Sequence, residues 1–161
     1  MPTNDHPSDA HGTSHRLDKL ESLEELRTLK SQYAIRADKV LSTPSRAHAV
    51  ELADLFTDDA SVDLGPFGRY VGREALLDAF ENILPAATGW STHYMANPVL
   101  DVQGHHATGT WYFLIYAQAK ATPGGPIQNF WGYYEDAYVK AGGVWKQSSL
   151  IAHYFTPPPA R

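Results

Sequence analysis

The sequence predicts an α+β domain in which a curved antiparallel sheet wraps around N-terminal helices. Two observations lead to this prediction. Apolar residues recur at helical spacing through the first half of the chain, and long strand patterns separated by turn signals fill the second half, beyond Gly89. Helices followed by a strand meander are typical of α+β domains. Because the sheet must bend to cover the apolar helix faces, we expect a cone-shaped molecule with an internal pocket.

The first half of the chain predicts three helices and two short strands. Leucines follow one another three residues apart from Leu17 to Leu29, which indicates a long first helix. Thr43 is a suitable N-cap for a second helix, with Pro44 in its first turn, and Pro85 ends the third. The predicted helices are 15–41, from Thr43 to about 58–59, and 73–84, and the predicted short strands are 60–64 and 69–71.

The second half predicts four long strands joined by turns, at 92–103, 107–120, 127–140 and 144–155. The strand segment 110–117 is apolar on both faces, although a strand with one solvated face alternates apolar and polar residues. The helices cover only one face of this strand, and the other exposes an aromatic patch too large to remain wet. We therefore expect a homo-oligomer that buries the sheet face pointing away from the helices.

Composition limits the classes of function. A chain of 161 residues with 43% apolar residues predicts one domain, at 15–157, after a disordered polar tail at 1–14. The net charge of −5 comes without a basic stripe, which argues against nucleic acid as a partner. No cysteine is present for disulfides or thiolate chemistry. Without a signal-peptide pattern or a membrane-length apolar run, we expect a cytoplasmic protein that does not bind membranes.

Three residues suggest proton-transfer chemistry. Asp38 ends the first helical pattern, Tyr33 precedes it by five residues, and His93 begins a predicted strand. A carboxylate orients an imidazole and stabilises its cation, which makes the imidazole a better general base. A nearby phenol donates a hydrogen bond to a developing anion. No histidine has ligand spacing with another group, so no metal site is expected.

Each candidate also has a purely structural interpretation. Asp38 could form an ion pair with Arg36 or Lys39, or be exposed at the helix end. His93 could be an ordinary strand histidine, and Tyr33 a core tyrosine with a satisfied hydroxyl. The residues themselves leave both interpretations open.

Several strings, in their order and spacing, resemble the SnoaL-like branch of the nuclear transport factor 2-like superfamily across about residues 20–157. They are LKSQYAIRAD, ADLFTDDASVDL, GRYVGREAL, STHYMANPVL, ATGTWYFL, GYYEDAYVK and GGVWKQSSL. The resemblance is strongest to the dehydratases and dehydrochlorinases of that branch. It implies an Asp–His dyad of Asp38 and His93 assisted by Tyr33, no cofactor, and a trimer.

The chain departs from that pattern on the last strand. The similar enzymes carry a substrate-binding arginine there, and this sequence has Leu150 or Tyr154 at the corresponding positions. Small-molecule pockets are mostly apolar with a few convergent polar groups. The expected pocket-lining residues, some of which could equally be ordinary core, are Trp90, Trp111, Phe113, Asn129, Trp131, Leu150 and Tyr154.

The resemblance and the residues together predict a cofactor-independent lyase or isomerase acting on a small hydrophobic ring compound. His93 would remove a proton, with Asp38 stabilising the imidazolium and Tyr33 assisting the departing group. The missing arginine favours an alternative, a non-catalytic protein of the same fold that binds a small hydrophobic ligand. A protein-interaction module is a weaker alternative, because it gives Asp38 and His93 no purpose.

Overall fold

A computed structural model describes residues 8–155 of the chain. Four helices, the last two continuous with each other, precede most of a six-stranded sheet. The helices are α1 (Ser8–Ser42), α2 (Arg46–Ala53), α3 (Arg73–Asp78) and α4 (Leu84–Ala87). The strands are β1 (Phe56–Asp63), β2 (Arg69–Val71), β3 (Thr88–Gln103), β4 (His106–Ala119), β5 (Ile127–Ala141) and β6 (Val144–Tyr154). The predicted α+β class is confirmed.

The long helix α1 carries one buried stripe that packs against the sheet. Its buried side chains recur three or four residues apart, as one face of an α-helix requires: Leu26, Leu29, Tyr33, Ala37 and Val40. The helix begins at Ser8, seven residues before the predicted start at residue 15. The remainder of the predicted tail, residues 1–7, lies outside the described residues.

The second helix is shorter than predicted. Its N-cap is Ser45, whose hydroxyl accepts a hydrogen bond from the backbone N–H of His48, and not Thr43. The helix ends at Ala53, and β1 begins at Phe56 inside the region predicted to be helical. Leu55 and Phe56 are both buried, and apolar side chains continue the helical spacing across this boundary. The apolar periodicity therefore extended the predicted second helix into residues that form strand β1.

The third predicted helix continues past Pro85. A π-helical stretch, Ala79–Ile83, joins α3 to α4, and Pro85 lies in the first turn of α4. Proline lacks an N–H, and its ring clashes with the carbonyl four residues earlier in a regular α-helix. The wider π turn avoids that clash, so the prediction that Pro85 ends the helix was wrong.

The six strands form one sheet in the order β2-β1-β6-β5-β4-β3. Strands β3 to β6 form the predicted antiparallel meander, and β1 pairs parallel to β6, which makes the sheet mixed. Strand β4 has two apolar faces, as predicted. Trp111, Phe113 and Ile115 are buried on the inner face, and Tyr112 is exposed on the outer face.

The main core lies between the helices and the inner face of the sheet. It joins residues of α1, α2 and α3 to inward-facing side chains such as Phe113, Tyr134 and Leu150. A second, smaller core cluster lies nearer the start of α1 and consists of Leu26, Leu29, Val102, Ala107, Tyr138 and Trp145. No helix within residues 8–155 combines the length and apolar character needed to span a bilayer.

Candidate functional site

A mostly apolar cavity of about 110 Å³ opens between the helices and the inner face of the sheet. Its size is of the same order as the roughly 150 Å³ engineered cavity that accepts benzene. The polar side chains in its wall come from α1, β3, β5 and β6. They are Tyr33, Thr88, Ser91, His93, Tyr134 and Tyr154.

Asp38 and His93 meet at the wall of this cavity. The Nδ1 atom of His93 lies 2.6 Å from Oδ1 of Asp38, although 55 residues separate them in sequence. The His93 side chain is 8% exposed and that of Asp38 is 25% exposed. Since Nδ1–H donates to the carboxylate, the other nitrogen, Nε2, carries the lone pair when the ring is neutral.

Two further hydrogen bonds orient the Asp38 carboxylate. The Ser91 hydroxyl donates to Oδ1 at 2.9 Å, and the backbone N–H of His93 donates to Oδ2 at 3.0 Å. Ser91 was not predicted from the sequence. The sequence does contain a signal for Ser91. Residues two apart on a strand share a face, and Ser91 lies two positions before His93.

The alternative ion pairs considered for Asp38 do not form. Lys39 instead contacts the Glu51 carboxylate at 2.9 Å, and Arg36 donates to the backbone carbonyl of Glu51. The carboxylate of Asp38 is therefore committed to His93 and Ser91.

Three tyrosines contribute polar groups to the mostly apolar wall. Burial raises the pKa of Tyr33, Tyr134 and Tyr154 above the ordinary value of 10.0. All three are therefore neutral at physiological pH and can donate a hydrogen bond, and the Tyr154 hydroxyl donates to the backbone carbonyl of Leu64 at 3.4 Å. The rings of Tyr33 and Tyr134 also meet edge to face, with their centroids 6.1 Å apart. Of these three, Tyr33 and Tyr154 were predicted from the sequence and Tyr134 was not.

Most of the other predicted lining residues lie elsewhere. Trp131 is 42% exposed on the outer face of the sheet, and Asn129 is also exposed. The Trp111 indole donates to the hydroxyl of Tyr138, away from the cavity. Phe113 and Leu150 are buried in the main core, and Trp90 is only partly buried. Of the seven predicted, Tyr154 alone is among the lining residues.

A buried ion pair lies behind the tyrosines and was not found from the sequence. The Lys30 ammonium contacts Oδ2 of Asp136 at 2.7 Å, and both side chains are 0% exposed. The Tyr138 hydroxyl donates to the same carboxylate oxygen at 2.6 Å. Lys30 also lies over the faces of the Tyr33 and Tyr134 rings. Charge therefore lies directly behind the polar wall of the cavity.

A second histidine–carboxylate pair occupies the outer face of the sheet. The Nε2 atom of His153 lies 2.8 Å from Oε2 of Glu135, and its ring stacks on Tyr133. His153 therefore points away from the cavity, and it is not among the lining residues. Within the part of the chain that the structure describes, no three His, Asp or Glu side chains converge as a metal site requires.

The fold and the site define a class of protein: α+β pocket proteins in which helices and a curved sheet enclose a small apolar cavity with polar groups in its wall. Residues 18–151 match the SnoaL-like domain model. The chain belongs to this SnoaL-like family, within the nuclear transport factor 2-like fold, and the predicted resemblance is confirmed.

Dehydrochlorinases are among its relatives. The γ-hexachlorocyclohexane dehydrochlorinase of Sphingobium indicum is 29% identical over 141 residues, which cover 84% of this chain and 88% of that protein. The structure of a type 2 hexachlorocyclohexane dehydrochlorinase is 27% identical, with a TM-score of 0.76 over 88% of this chain and 90% of the other. A type 3 enzyme from Novosphingobium barchaimii is 26% identical, with a TM-score of 0.73 over 89% and 99%. These relatives support lyase-like catalysis in general.

Proposed function

We propose that the protein is a lyase or isomerase that removes a proton from carbon in a small, hydrophobic ring compound without a cofactor. The observation that carries this proposal is the contact between His93 Nδ1 and Asp38 Oδ1 at the wall of the cavity. The general class agrees with the dehydrochlorinase relatives.

The proposed reaction begins with proton transfer from a ring C–H to Nε2 of His93. The electron pair of that bond forms a new C=C bond, and the leaving group departs with the electrons of its own bond. In an isomerisation, His93 instead returns the proton to another carbon. Asp38 stabilises the imidazolium in either case. The phenols of Tyr33 and Tyr134, which line the cavity, would donate to the oxygen or leaving group on which negative charge develops.

The cavity wall carries no lysine or arginine among the described residues that line it. A charged group held against the apolar parts of the wall would lose its hydration without gaining a partner, which is costly. We therefore expect an uncharged ring, with negative charge only at an oxygen or leaving group within reach of the tyrosines. The chain also lacks the last-strand arginine of the similar enzymes. Of the two residues at the corresponding positions, Tyr154 lines the cavity and Leu150 lies in the core.

Proton nuclear magnetic resonance in deuterated buffer tests the proposal. The panel contains hexachlorocyclohexane isomers, cyclic β-hydroxyketones and cyclic unsaturated ketones. We expect elimination, double-bond migration or exchange of a ring C–H for deuterium with at least one compound, and its loss in His93→Ala. The control variant His153→Ala removes the histidine of the other histidine–carboxylate pair, on the outer face, and should retain the activity. If ring compounds bind in the cavity but none is converted or exchanged, the proposal is refuted.

The same experiment addresses an alternative function, the binding of a small hydrophobic ligand without chemistry. The observation that favours this alternative is the largely apolar cavity without a lining cation. Tight binding without turnover or deuterium exchange would support it.

We also propose that copies of the chain associate, with three copies preferred, through the outer face of the sheet. Large side chains project from this face on four neighbouring strands, and several pack on one another at ring separations near 6 Å. They include Tyr94, Tyr112, Trp131, Ile151 and the adjoining Phe155, each at least 39% exposed. Burial of such a patch at about 25 cal/mol per Å² favours association. Closed symmetric assemblies are the usual outcome for soluble oligomers.

A further inference from the structure

We propose that the buried Lys30–Asp136 pair is a positioning device that places a positive charge behind the rings of Tyr33 and Tyr134. Its consequence is that the cavity prefers a ring compound whose oxygen is anionic, such as an enolate or a phenolate. This inference deepens the proposed function, because it names the charge that the site stabilises.

The geometry joins the cation to the two phenols. The Nζ atom of Lys30 lies 4.7 Å from the centroid of the Tyr33 ring and 4.2 Å from that of Tyr134. Both distances are within the range of a cation–π contact. The hydroxyl-bearing side chains of both tyrosines line the cavity, and Lys30 does not. The lysine therefore acts on a ligand only through the tyrosines.

The contacts of Lys30 support a charged ammonium group. Burial lowers the pKa of Lys30 and raises that of Asp136, because each charged form loses its hydration. Opposing this, the 2.7 Å contact between the two charges stabilises both. The Tyr138 hydroxyl stabilises the carboxylate further, and two aromatic faces surround the ammonium. Burial acts against both charges, and Oδ1 of Asp136 is buried without a hydrogen-bond partner. The contacts made by Oδ2 and by the ammonium favour the charged forms, and from them we infer an ion pair.

A cation on the face of a phenol strengthens its hydroxyl as a donor. The ammonium is attracted to the electron-rich ring face and withdraws electron density from the O–H group. Two such phenols belong to the wall of the cavity. Preorganised donors in a water-excluded site stabilise developing negative charge more than they do in water. The Asp136 carboxylate opposes this effect, since it raises the pKa of both phenols, but the ammonium lies on their ring faces. The proposal therefore predicts a net positive potential in the cavity, although no cationic side chain lines its described wall.

The test uses 4-nitrophenol, whose phenolate absorbs visible light and whose phenol does not. Titration of the probe with and without protein gives the ratio of phenolate affinity to phenol affinity. We expect the intact protein to prefer the phenolate. In the double variant Lys30→Met with Asp136→Leu, which leaves no buried charge unpaired, that preference should fall about tenfold.

A matched control is present in the same chain. Lys140 contacts Glu25 at 2.7 Å and lies 5.7 Å from the Trp145 ring centroid, outside the cavity. The double variant Lys140→Met with Glu25→Leu therefore removes a lysine–carboxylate–aromatic arrangement remote from the site. It should keep the phenolate preference of the unmodified protein.

Three results would overturn the inference. They are the absence of phenolate preference in the unmodified protein, an unchanged preference in a folded Lys30/Asp136 double variant, and an equal loss in the control. If the double variant does not fold, carbon-13 resonance of the Lys30 Cε in the unmodified protein decides, since a neutral amine at pH 7 also overturns it. His93→Ala separates the two proposals, because it removes the proposed base and leaves Lys30 and the two tyrosines in place. If the phenolate preference persists in His93→Ala and the unmodified protein converts no compound, only the proposed function is contradicted.

Discussion

Replacing Asp38 with Asn tests the role of charge at the proposed dyad. The substitution keeps the shape of the side chain and removes the negative charge that stabilises the His93 imidazolium. An amide oxygen can still accept from His93 Nδ1 and from the Ser91 hydroxyl. The amide NH₂ would then face the backbone N–H of His93, where Oδ2 now accepts a 3.0 Å hydrogen bond. Two donors in contact leave one hydrogen bond unmade.

The expected magnitude follows from the geometry. Two unit charges about 4 Å apart attract by about 4 kcal/mol at an effective dielectric constant of about 20. Asp38 is 25% exposed, so water screens part of this attraction. A loss of about 2–4 kcal/mol of transition-state stabilisation lowers kcat by about 30- to 1,000-fold. The lost backbone hydrogen bond lowers the free energy of unfolding by about 1–3 kcal/mol.

The assay measures kcat on the panel compound that the unmodified protein turns over fastest, with urea unfolding in parallel. Glu135→Gln is the matched control, because it neutralises the carboxylate of the His153 pair on the outer face. Its turnover should stay within about twofold of the unmodified protein. A folded Asp38→Asn protein with unchanged kcat would refute the electrostatic role of Asp38.

Three further outcomes are expected. In His93→Ala, kcat should fall about 10²- to 10⁴-fold with little change in stability, and full activity would place the base elsewhere. Burial raises the pKa of Tyr154, so the folded protein keeps a proton that the unfolded chain loses as the pH rises above about 10. The free energy of unfolding should therefore decline with rising pH, and in Tyr154→Phe that decline should be shallower by up to about 1.4 kcal/mol per pH unit in urea unfolding. Light scattering should give a multiple of the 17.8 kDa chain mass and a single chain for Trp131→Glu, and a monomeric unmodified protein would exclude the assembly.

The sequence predicted the meander and the long first helix because their signals are local. Turn residues separate the strands, and one stripe of apolar side chains defines α1. The end of α2 was not predictable in this way. Leu55 and Phe56 continue an apolar pattern, and what makes Phe56 a strand residue is pairing with β6, which follows about ninety residues later.

The site residues also divide into those that the sequence predicted and those that it did not. Asp38, His93 and Tyr33 were selected by their resemblance to a known pattern, and the structure brings Asp38 and His93 into contact. Lys30 was not selected, because a lysine in a helix is usually solvated and its partner is 106 residues away. A signal existed nonetheless. Lys30 lies between Leu29 and Tyr33 on the buried stripe of α1, where a charged residue interrupts the apolar pattern.

Stability alone does not explain that buried pair. Replacing a buried ion pair with apolar side chains of similar volume is often neutral, or stabilising by about 1–4 kcal/mol, because removing two charges from water is costly. A methionine and a leucine would fill the space of Lys30 and Asp136 without that cost. The pair is instead distinguished by where its cation lies, on the ring faces of two tyrosines that line the cavity. An electrostatic role at the cavity accounts for this position, whereas a role in the core alone does not.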